Sequence, residues 1–484
     1  MVEVSGRVFE TPSPPSPQGG GRNRTRPQGG GRNGGGRLVS APVEIYNRLL
    51  EDETLAAASA EMLEAGQRER RLTFGGRPLS IALRPQLLSR TAYERVVSAS
   101  QTVYSALQAL ERALLADRGL RAELDLQPEE ERLALVEPRG PSSSPSSRLD
   151  GFLSGRLRYV EYNAESPAGM AYGDHLTAAF DALPVIRQFR RRFRIRSVPL
   201  RNRQLASMLR AFRSAANGTQ PVIAIVDWPG LPTSTEFEMF RDFFEGRGIR
   251  TVICEPRELE FRRGRLYAGG KPVNLVYRRV LTSELLARGD ETRALRQAYL
   301  EGAVCVVNSF RAKLLHKKMS LALLSDDRYA GLYTAEQRRA IARHVPWTRK
   351  VRQGATTRAG RPVADLAAYI ADHQQELVLK PNDEYGGKGV VLGWAVSPDE
   401  WTAALRTALK ESFVVQEAVP VPRQEFPVML DGRVQRLDLA MDMDPYLFDG
   451  RVAGCLARLS SSALLNVTAG AGSIVPTYIV EGAA

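Results

Sequence analysis

The spacing of apolar positions changes three times along the chain. From 43 to 137 they recur every three or four residues, in "EIYNRLLEDETLAAASAEMLEAG" and "RTAYERVVSASQTVYSALQALERALLAD". That spacing keeps one face of a helix apolar and predicts a helical region. "EPRGPSSSPSSR" (137–148) interrupts it with Pro, Gly and Ser and reads as a loop. A short strand pair follows, with "LRYVEYN" (157–163) as its apolar-rich member. From about 205 to 308 the two periods alternate: helix "QLASMLRAFRSAAN", strand "PVIAIVDW", helix "STEFEMFRDFFEGRG", strand "RTVICEP". The hairpin-like "RRGRLYAGGKPVNLVYRR" comes next, then a helix over 283–300 and the strand "AVCVVN". Such alternation predicts a small, mostly parallel sheet with helices on its faces. Beyond 309 the pattern gives helices at about 310–324, 335–343 and 363–374. After these come a strand–loop–strand at 377–394, a helix at 398–410, the strand "FVVQEAV" at 413–419 and further strands to the C-terminus. No segment repeats.

Composition adds limits. A chain of 484 residues has room for two or three domains. Its 43% hydrophobic and 25% charged residues are ordinary for a globular protein. No apolar run approaches the roughly 20 residues of a membrane span. The opening "MVEVSGRVFETPSPPSP" lacks the pattern of a secretory signal. Cys254, Cys305 and Cys455 are far apart and form no CxxC, so they are expected to be buried apolar residues of a reducing compartment. A cytoplasmic location is expected.

The net charge of +13 has two sources. Residues 1–40 hold six arginines among Gly, Pro, Ser and Gln, with almost nothing to bury, and are expected to be a disordered tail. The second source is 187–213, with ten arginines and no acid. Either could meet phosphates, but no nucleic-acid-binding motif accompanies them. A solvated helix face plus a solubilising tail is the preferred reading, so neither nucleic acid nor membrane is expected as a partner. Only eight of the 67 basic residues are lysine. In a chain that defaults to arginine, a retained lysine points to a need for a compact ammonium, as at a phosphate.

The chemistry concentrates in two stretches. In "LVLKPNDEYGGKGVVLGW", Lys380 ends a strand and Pro381 stops the ladder. Gly386, Gly387 and Gly389 would let the loop turn its N–H groups toward an anion, with Glu384 beside them and Lys388 at the tip. It is not a Walker A loop, because GxxxxGK[ST] and the following helix are absent; a plain Gly-Gly hairpin turn is the alternative. About 30 residues on, Gln416 and Glu417 end a strand, where they could read the edge of an adenine. The second stretch is "RLDGFLSGRLRYVEYNAESPAGMAYG" (148–173). Arg148 and Asp150 share one strand face, and Glu161 and Asn163 share another. If the strands pair, three hard oxygen ligands and an arginine converge. Such a set suits Mg²⁺, which takes one or two carboxylates plus water and phosphate, with the arginine on a transferring phosphoryl group.

"RLD", eleven residues, then "EYNAES" resembles the metal-binding strands of glutathionylspermidine synthase and the circularly permuted ATP-grasp proteins. "LVLKPNDEYGGKGV" resembles the nucleotide-binding strand and phosphate loop of the same fold. "RVLTSEL", "VVNSFRAKLLHKKMSLALLSD", "VPWTRKV" and "PYLFDGRVAGCLARLS" are similar to other stretches of the type 2 permuted group. The order fits a permuted chain, since the metal carboxylates precede the lysines and glycine loop. The resemblance covers roughly 145–484 and implies an α/β, circularly permuted ATP-grasp fold. The expected organisation is a tail (1–40), a helical region (41–145), metal-binding strands (146–204), a small α/β domain (205–308) and an ATP-binding lobe (309–484).

The resemblance also implies roles. Lys380 and a lysine at 317 or 318, with Lys318 preferred, would touch the phosphates or adenine. Glu384, Gly386, Gly387, Lys388 and Gly389 would close over the β- and γ-phosphates, while Gln416 and Glu417 would line the adenine hinge. Asp150, Glu161 and Asn163 would hold Mg²⁺, and Arg148 would sit on the transferring phosphate. The implied function is an ATP-dependent carboxylate–amine ligase acting through an acyl phosphate on small-molecule or peptide substrates. The alternative is an ATP-binding protein that has lost this activity and serves as a scaffold or regulator. Substrate specificity does not carry over, because the segment 456–473 departs from the synthase. The four histidines are dispersed and expected to be structural or at the surface, His175 being nearest the metal motif. Arg349, Arg436 and Arg458 are candidates for a substrate carboxylate, each more simply read as structural. Asp438, Asp442 and Asp444 alternate in "RLDLAMDMDP" and are read as the polar face of an exposed strand.

Overall fold

The computed structural model describes residues 40–74, 76–138, 140, 142–213, 220–462 and 472–483. Residues 1–39 of the expected tail (1–40), residues 214–217 of one expected helix and the C-terminal segment 463–471 lie outside the described residues.

The N-terminal region is helical where the apolar spacing is three and four. Helix α1 (Glu53–Glu69) starts at Asp52, whose side chain accepts the Leu55 N–H at 3.0 Å. Helix α2 (Arg90–Ala116) starts at Ser89 in the same way and buries Val96, Val103, Leu107, Leu110 and Leu114 along one stripe. Between them lies a departure from the expected run of helices. The strand Gln86–Ser89 pairs in parallel with the C-terminal strand Thr477–Ala483, which also pairs with Phe193–Arg196. Four residues of strand among helices are supplied with a ladder partner nearly 400 residues away, so local spacing does not reveal them. A short helix, α3 (Pro128–Ala134), ends the region.

The main sheet begins with β1 (Ser146–Ser154) and β2 (Arg156–Asn163), an antiparallel pair with a bulge between Asp150 and Gly151. The alternating region then supplies β3 (Ile223–Val226), β4 (Thr251–Cys254), β5 (Leu275–Arg278) and β6 (Cys305–Val307). These form an all-parallel sheet in the order β6-β5-β3-β4, as the βαβ pattern predicts. Their residues are largely buried, as a sheet covered on both faces requires.

The expected helix at 310–324 is two short ones, α4 (Lys313–His316) and α5 (Met319–Leu324). Lys317 between them is extended (φ −60°, ψ 135°), which sends the side chains of Lys317 and Lys318 in different directions. A four-stranded antiparallel sheet follows, in the order β7-β10-β8-β9: β7 (Thr348–Lys350), β8 (Leu377–Pro381), β9 (Val391–Leu392) and β10 (Phe413–Glu417). The chain then returns to the main sheet through β11 (Arg423–Leu430), β12 (Arg433–Met441), β13 (Asp444–Phe448) and β14 (Arg451–Ser460). The order there is β11-β12-β14-β13-β1-β2, so the C-terminal strands lie beside the first metal-motif strand. All three cysteines are buried and none forms a disulfide, as expected. No helix among the described residues is long and apolar enough to cross a membrane.

Candidate active site

A cleft of about 200 Å³ opens where the β1–β2 hairpin faces the β8–β10 sheet. On β1, Arg148 and Asp150 are two apart and share a face; on β2, Glu161 and Asn163 do the same. The register sets Arg148 opposite Asn163 and Asp150 opposite Glu161, so all four side chains line the cleft. The bulge depends on glycine: a Cβ at Gly151 would stand 2.6 Å from the Arg158 carbonyl oxygen.

Across the cleft, Lys380 at the end of β8 donates to Gln416 Oε1 at 2.6 Å and the Val160 carbonyl at 3.2 Å. Gln416 in turn donates to Thr348 Oγ1 at 3.0 Å. Lys318 bridges the two sides, 3.0 Å from Glu161 Oε1 and 2.5 Å from the Glu384 carbonyl of the glycine loop. Lys317 turns away, to Glu130 at 2.9 Å and Asp383 at 3.5 Å. Of the two neighbouring lysines, Lys318 is the one in the cleft.

The glycine loop is only partly brought in. Glu384, Gly386 and Gly387 line the cleft, whereas Lys388 and Gly389 line a second cavity behind the loop. This departs from the expected placement of Lys388 and Gly389 over the phosphates. Gly386 and Gly387 have φ of 64° and 77°, a turn only glycine takes easily. The turn carries Lys388 outward, where it pairs with Glu384 at 3.3 Å with its side chain 77% exposed. Gly389 packs on Pro381, whose Cγ would be 2.7 Å from a Cβ there. Glu417 lines the cleft but is engaged by Arg158 at 3.1 Å and by the Trp347 N–H at 3.3 Å.

Two further acidic residues, Asp442 in the cleft lining and Asp444 beside it, correct the sequence reading. Asp442 and Asp444 are fully buried, not the polar face of an exposed strand. The chain leaves β12 at Met441, crosses to the other side of β14 and continues as β13, and this crossing turns both carboxylates onto Arg458 of β14. Arg458 Nε lies 2.6 Å from Asp442, and its Nη2 lies 3.0 Å from Asp444 and 2.8 Å from Asp150. Arg148 grips Asp150 at 2.6 and 2.8 Å. No local signal marks them: Asp442 and Asp444 alternate with the buried Met441 and Met443, which is the pattern of a strand with one solvated face. Asp438 alone is at the surface, paired with Arg423 at 2.5 Å.

The other candidates fall elsewhere. Arg349 is buried and held by Ser325, Thr348, Thr356 and Thr357 oxygens. Arg436 pairs with Glu51 at 3.1 Å on the surface. His175 contacts Arg201 at 2.7 Å and is outside the cleft; burial, helped by Arg201, lowers its pKa to about 4. His344 contacts the Leu157 carbonyl at 2.7 Å, and the His373 ring stacks on Tyr369.

Burial alone would raise the pKa of Asp150, but the Arg148 and Arg458 guanidiniums overcome it and hold the carboxyl at about 2. Glu161 is likewise lowered, burial being outweighed by Lys318. Burial raises Asp442 and Asp444 despite Arg458. Burial also lowers Lys380 to about 8, against the pull of Glu161. Among the described residues no three His, Cys, Asp or Glu side chains are grouped to hold a metal by themselves. Two carboxylates kept ionised and an amide, all facing one cleft, fit Mg²⁺, which takes its remaining ligands from water and phosphate.

The sequence profile of the family described as circularly permuted ATP-grasp type 2 matches residues 152–460, more than half of the chain. The chain belongs to that family. The match begins just after Arg148 and Asp150 and ends just after Arg458. This ATP-grasp protein is 25% identical over 334 residues to the uncharacterized protein ML0605 of Mycobacterium leprae (strain TN), across 66% of its own length and 56% of the relative's. It is 24% identical over 336 residues to the uncharacterized protein Rv2411c of Mycobacterium tuberculosis (strain H37Rv), again across 66% of its own length and 57% of the relative's. The match thus spans little more than half the length of these relatives. Among solved structures, the glutathione synthetase-like effector GSS30 of Globodera pallida, in its apo form, is similar with a TM-score of 0.56 at 12% identity. That likeness covers 90% of this chain and 99% of the effector, and it concerns the fold.

Proposed function

We propose that this ATP-grasp protein is an ATP-dependent carboxylate–amine ligase, acting in the cleft between β1–β2 and β8–β10. The observation that carries the reading is the meeting of two distant segments. Asp150, Glu161 and Asn163 face Lys380 and the glycine loop, more than 200 residues further on, with Lys318 touching both sides. Lys318 and Lys380 are then the phosphate contacts. Asp150, Glu161 and Asn163 are the Mg²⁺ ligands, the ion supplying charge neutralisation when bound. Gln416 and Glu417 stand at the nucleobase end, beside the apolar side chains of Val378, Leu392 and Trp394.

In the proposed reaction an oxygen of the substrate carboxylate attacks the γ-phosphorus of ATP and the bond to the β-phosphate oxygen breaks, releasing ADP and leaving an acyl phosphate. A neutral amine attacks the acyl carbon, phosphate departs, and an amide remains after the nitrogen loses a proton. Little covalent work falls to the protein, so positioning and charge dominate. Arg148 is assigned to the phosphoryl group in transfer, and Arg458, whose Nε and Nη2 are taken by Asp150, Asp442 and Asp444, to fixing Asp150 in the cleft. Small-molecule or peptide acids and amines are the proposed substrates.

Calorimetric titration of ATP with Mg²⁺ into the wild type, Lys380→Met and Glu161→Gln tests this. Magnesium-dependent binding weakened about tenfold or more by each change is expected, and ADP release with matched acid–amine pairs should follow. Absence of binding in the folded wild type would refute the reading.

A further inference from the structure

Five of the eight lysines lie in or against the segment 380–388. Lys380 and Lys388 belong to it, Lys318 holds the Glu384 carbonyl, and Lys313 and Lys317 both reach Asp383. Lys313 is the least expected of them. It is fully buried on α4, does not line the cleft, and has no part in the ligase scheme above. Its Nζ lies 2.5 Å from Asp383 of the loop, 3.4 Å from Glu130 of α3 and 3.5 Å from Glu165, two residues past Asn163 of β2.

Each of those carboxylates is anchored in turn. Glu165 is buried, 3.0 Å from Arg278 of the parallel sheet and hydrogen-bonded by Thr282 Oγ1. Glu130 is held by Lys317 at 2.9 Å. The loop is also tied at Asn382, whose Oδ1 accepts the Met319 N–H at 3.0 Å and whose carbonyl accepts the Lys318 N–H at 2.9 Å. One ammonium therefore joins the glycine loop to the segment after the metal-motif strand and to the N-terminal helices.

We propose that Lys313 is a latch: a buried ammonium shared by Asp383, Glu165 and Glu130 that fixes the loop 382–389 in position against β2. Lysine is required because a compact ammonium can sit as a point charge among three carboxylates, hydrogen-bonded to Asp383 and ion-paired with Glu130 and Glu165, whereas the planar arginine fork serves coplanar pairs. This explains why an arginine-rich chain keeps lysine at a site that touches no substrate. Lys313 is a positioning residue. Its purpose rests on the nucleotide reading of the loop, but the latch itself operates without nucleotide.

The test is amide hydrogen exchange of the ligand-free full chain, comparing wild type with Lys313→Met, Lys313→Arg and Asp383→Asn. The reporters are the N–H groups of Asn382, Lys388 and Val390, which donate to Ser412, Tyr385 and Gly387. All three variants should exchange there at least tenfold faster, while the β3 and β5 amides keep wild-type rates. ATP affinity should fall at least tenfold, and Lys313→Met combined with Asp383→Asn should be no worse than the worse single change, as for two halves of one contact. Unchanged reporters in Lys313→Met or Asp383→Asn would overturn the latch. So would a uniform rise over the whole chain, or wild-type behaviour of Lys313→Arg. If Lys313→Met does not fold, Asp383→Asn carries the test alone, since it leaves Lys313 two carboxylates. Faster reporter exchange in a protein that binds no ATP would uphold the latch and defeat only the nucleotide reading.

Discussion

Lys380→Met should make the protein more stable at neutral pH while weakening nucleotide binding, and both effects come from the loss of one buried ammonium. Burial lowers the Lys380 ammonium from 10.5 to about 8. Below pH 8 the folded chain holds a charge that the unfolded chain gives to water, a cost of about 3 kcal/mol. The side chain is only half-buried, so screening trims this to about 2 kcal/mol. Methionine removes the cost but forfeits the hydrogen bonds to Gln416 Oε1 and the Val160 carbonyl, returning about 1 kcal/mol. The variant should therefore be more stable by about 1 kcal/mol at pH 7. Between pH 8 and 10.5 the folded wild type sheds its proton while the unfolded chain keeps it, so wild-type stability rises with pH relative to the variant. Near pH 10.5 the cost is gone, the neutral amine still donates its hydrogen bonds, and the order should reverse. Urea midpoints at pH 7 and at pH 10 to 10.5 measure this. A gap that is constant with pH, or a methionine variant that is less stable at pH 7, would refute the reasoning. ATP affinity should fall about 10- to 100-fold, the loss of one charge-assisted hydrogen bond to phosphate.

Trp394 lines the cleft with 38% of its surface exposed, while Trp347 and Trp401 are buried. ATP should quench its fluorescence, and Trp394→Leu should abolish that change and weaken binding about tenfold through lost stacking; an unaltered quench would place the base elsewhere. Gly393→Ala would set a Cβ 1.8 Å from the Gln374 carbonyl oxygen and 2.8 Å from that of Leu377. Both are backbone atoms, so a loss of about 3 kcal/mol is expected in the urea midpoint.

The helical stripe of α2 and the parallel sheet β6-β5-β3-β4 were legible in the sequence because each is a local period matched to one buried face. The cleft residues Arg148, Asp150, Glu161 and Asn163 were legible too, since two strands joined by one turn leave little choice of register. What misled was exposure. Asp442 and Asp444 alternate with Met441 and Met443 as any half-exposed strand would, yet all four are buried. Lys388 has the right neighbours for a phosphate contact, and two left-handed glycines turn it to the other side. Lys317 and Lys318 are adjacent, and one extended residue between two short helices separates their destinations.

The sequence by itself determined most of the element types, the resemblance to permuted ATP-grasp chains and the residues proposed to hold phosphate and metal. These follow from short-range spacing and from side-chain chemistry, which no fold alters. Only the tertiary structure decided which charges meet. Arg458 finds Asp150 across 308 residues, Lys313 collects carboxylates from α3, the segment after β2 and the glycine loop, and Gln86–Ser89 becomes a strand beside the C-terminus. Such pairings form because a buried charge or an unpaired strand must be satisfied somewhere, and the partner is fixed by how the sheets stack, not by distance along the chain.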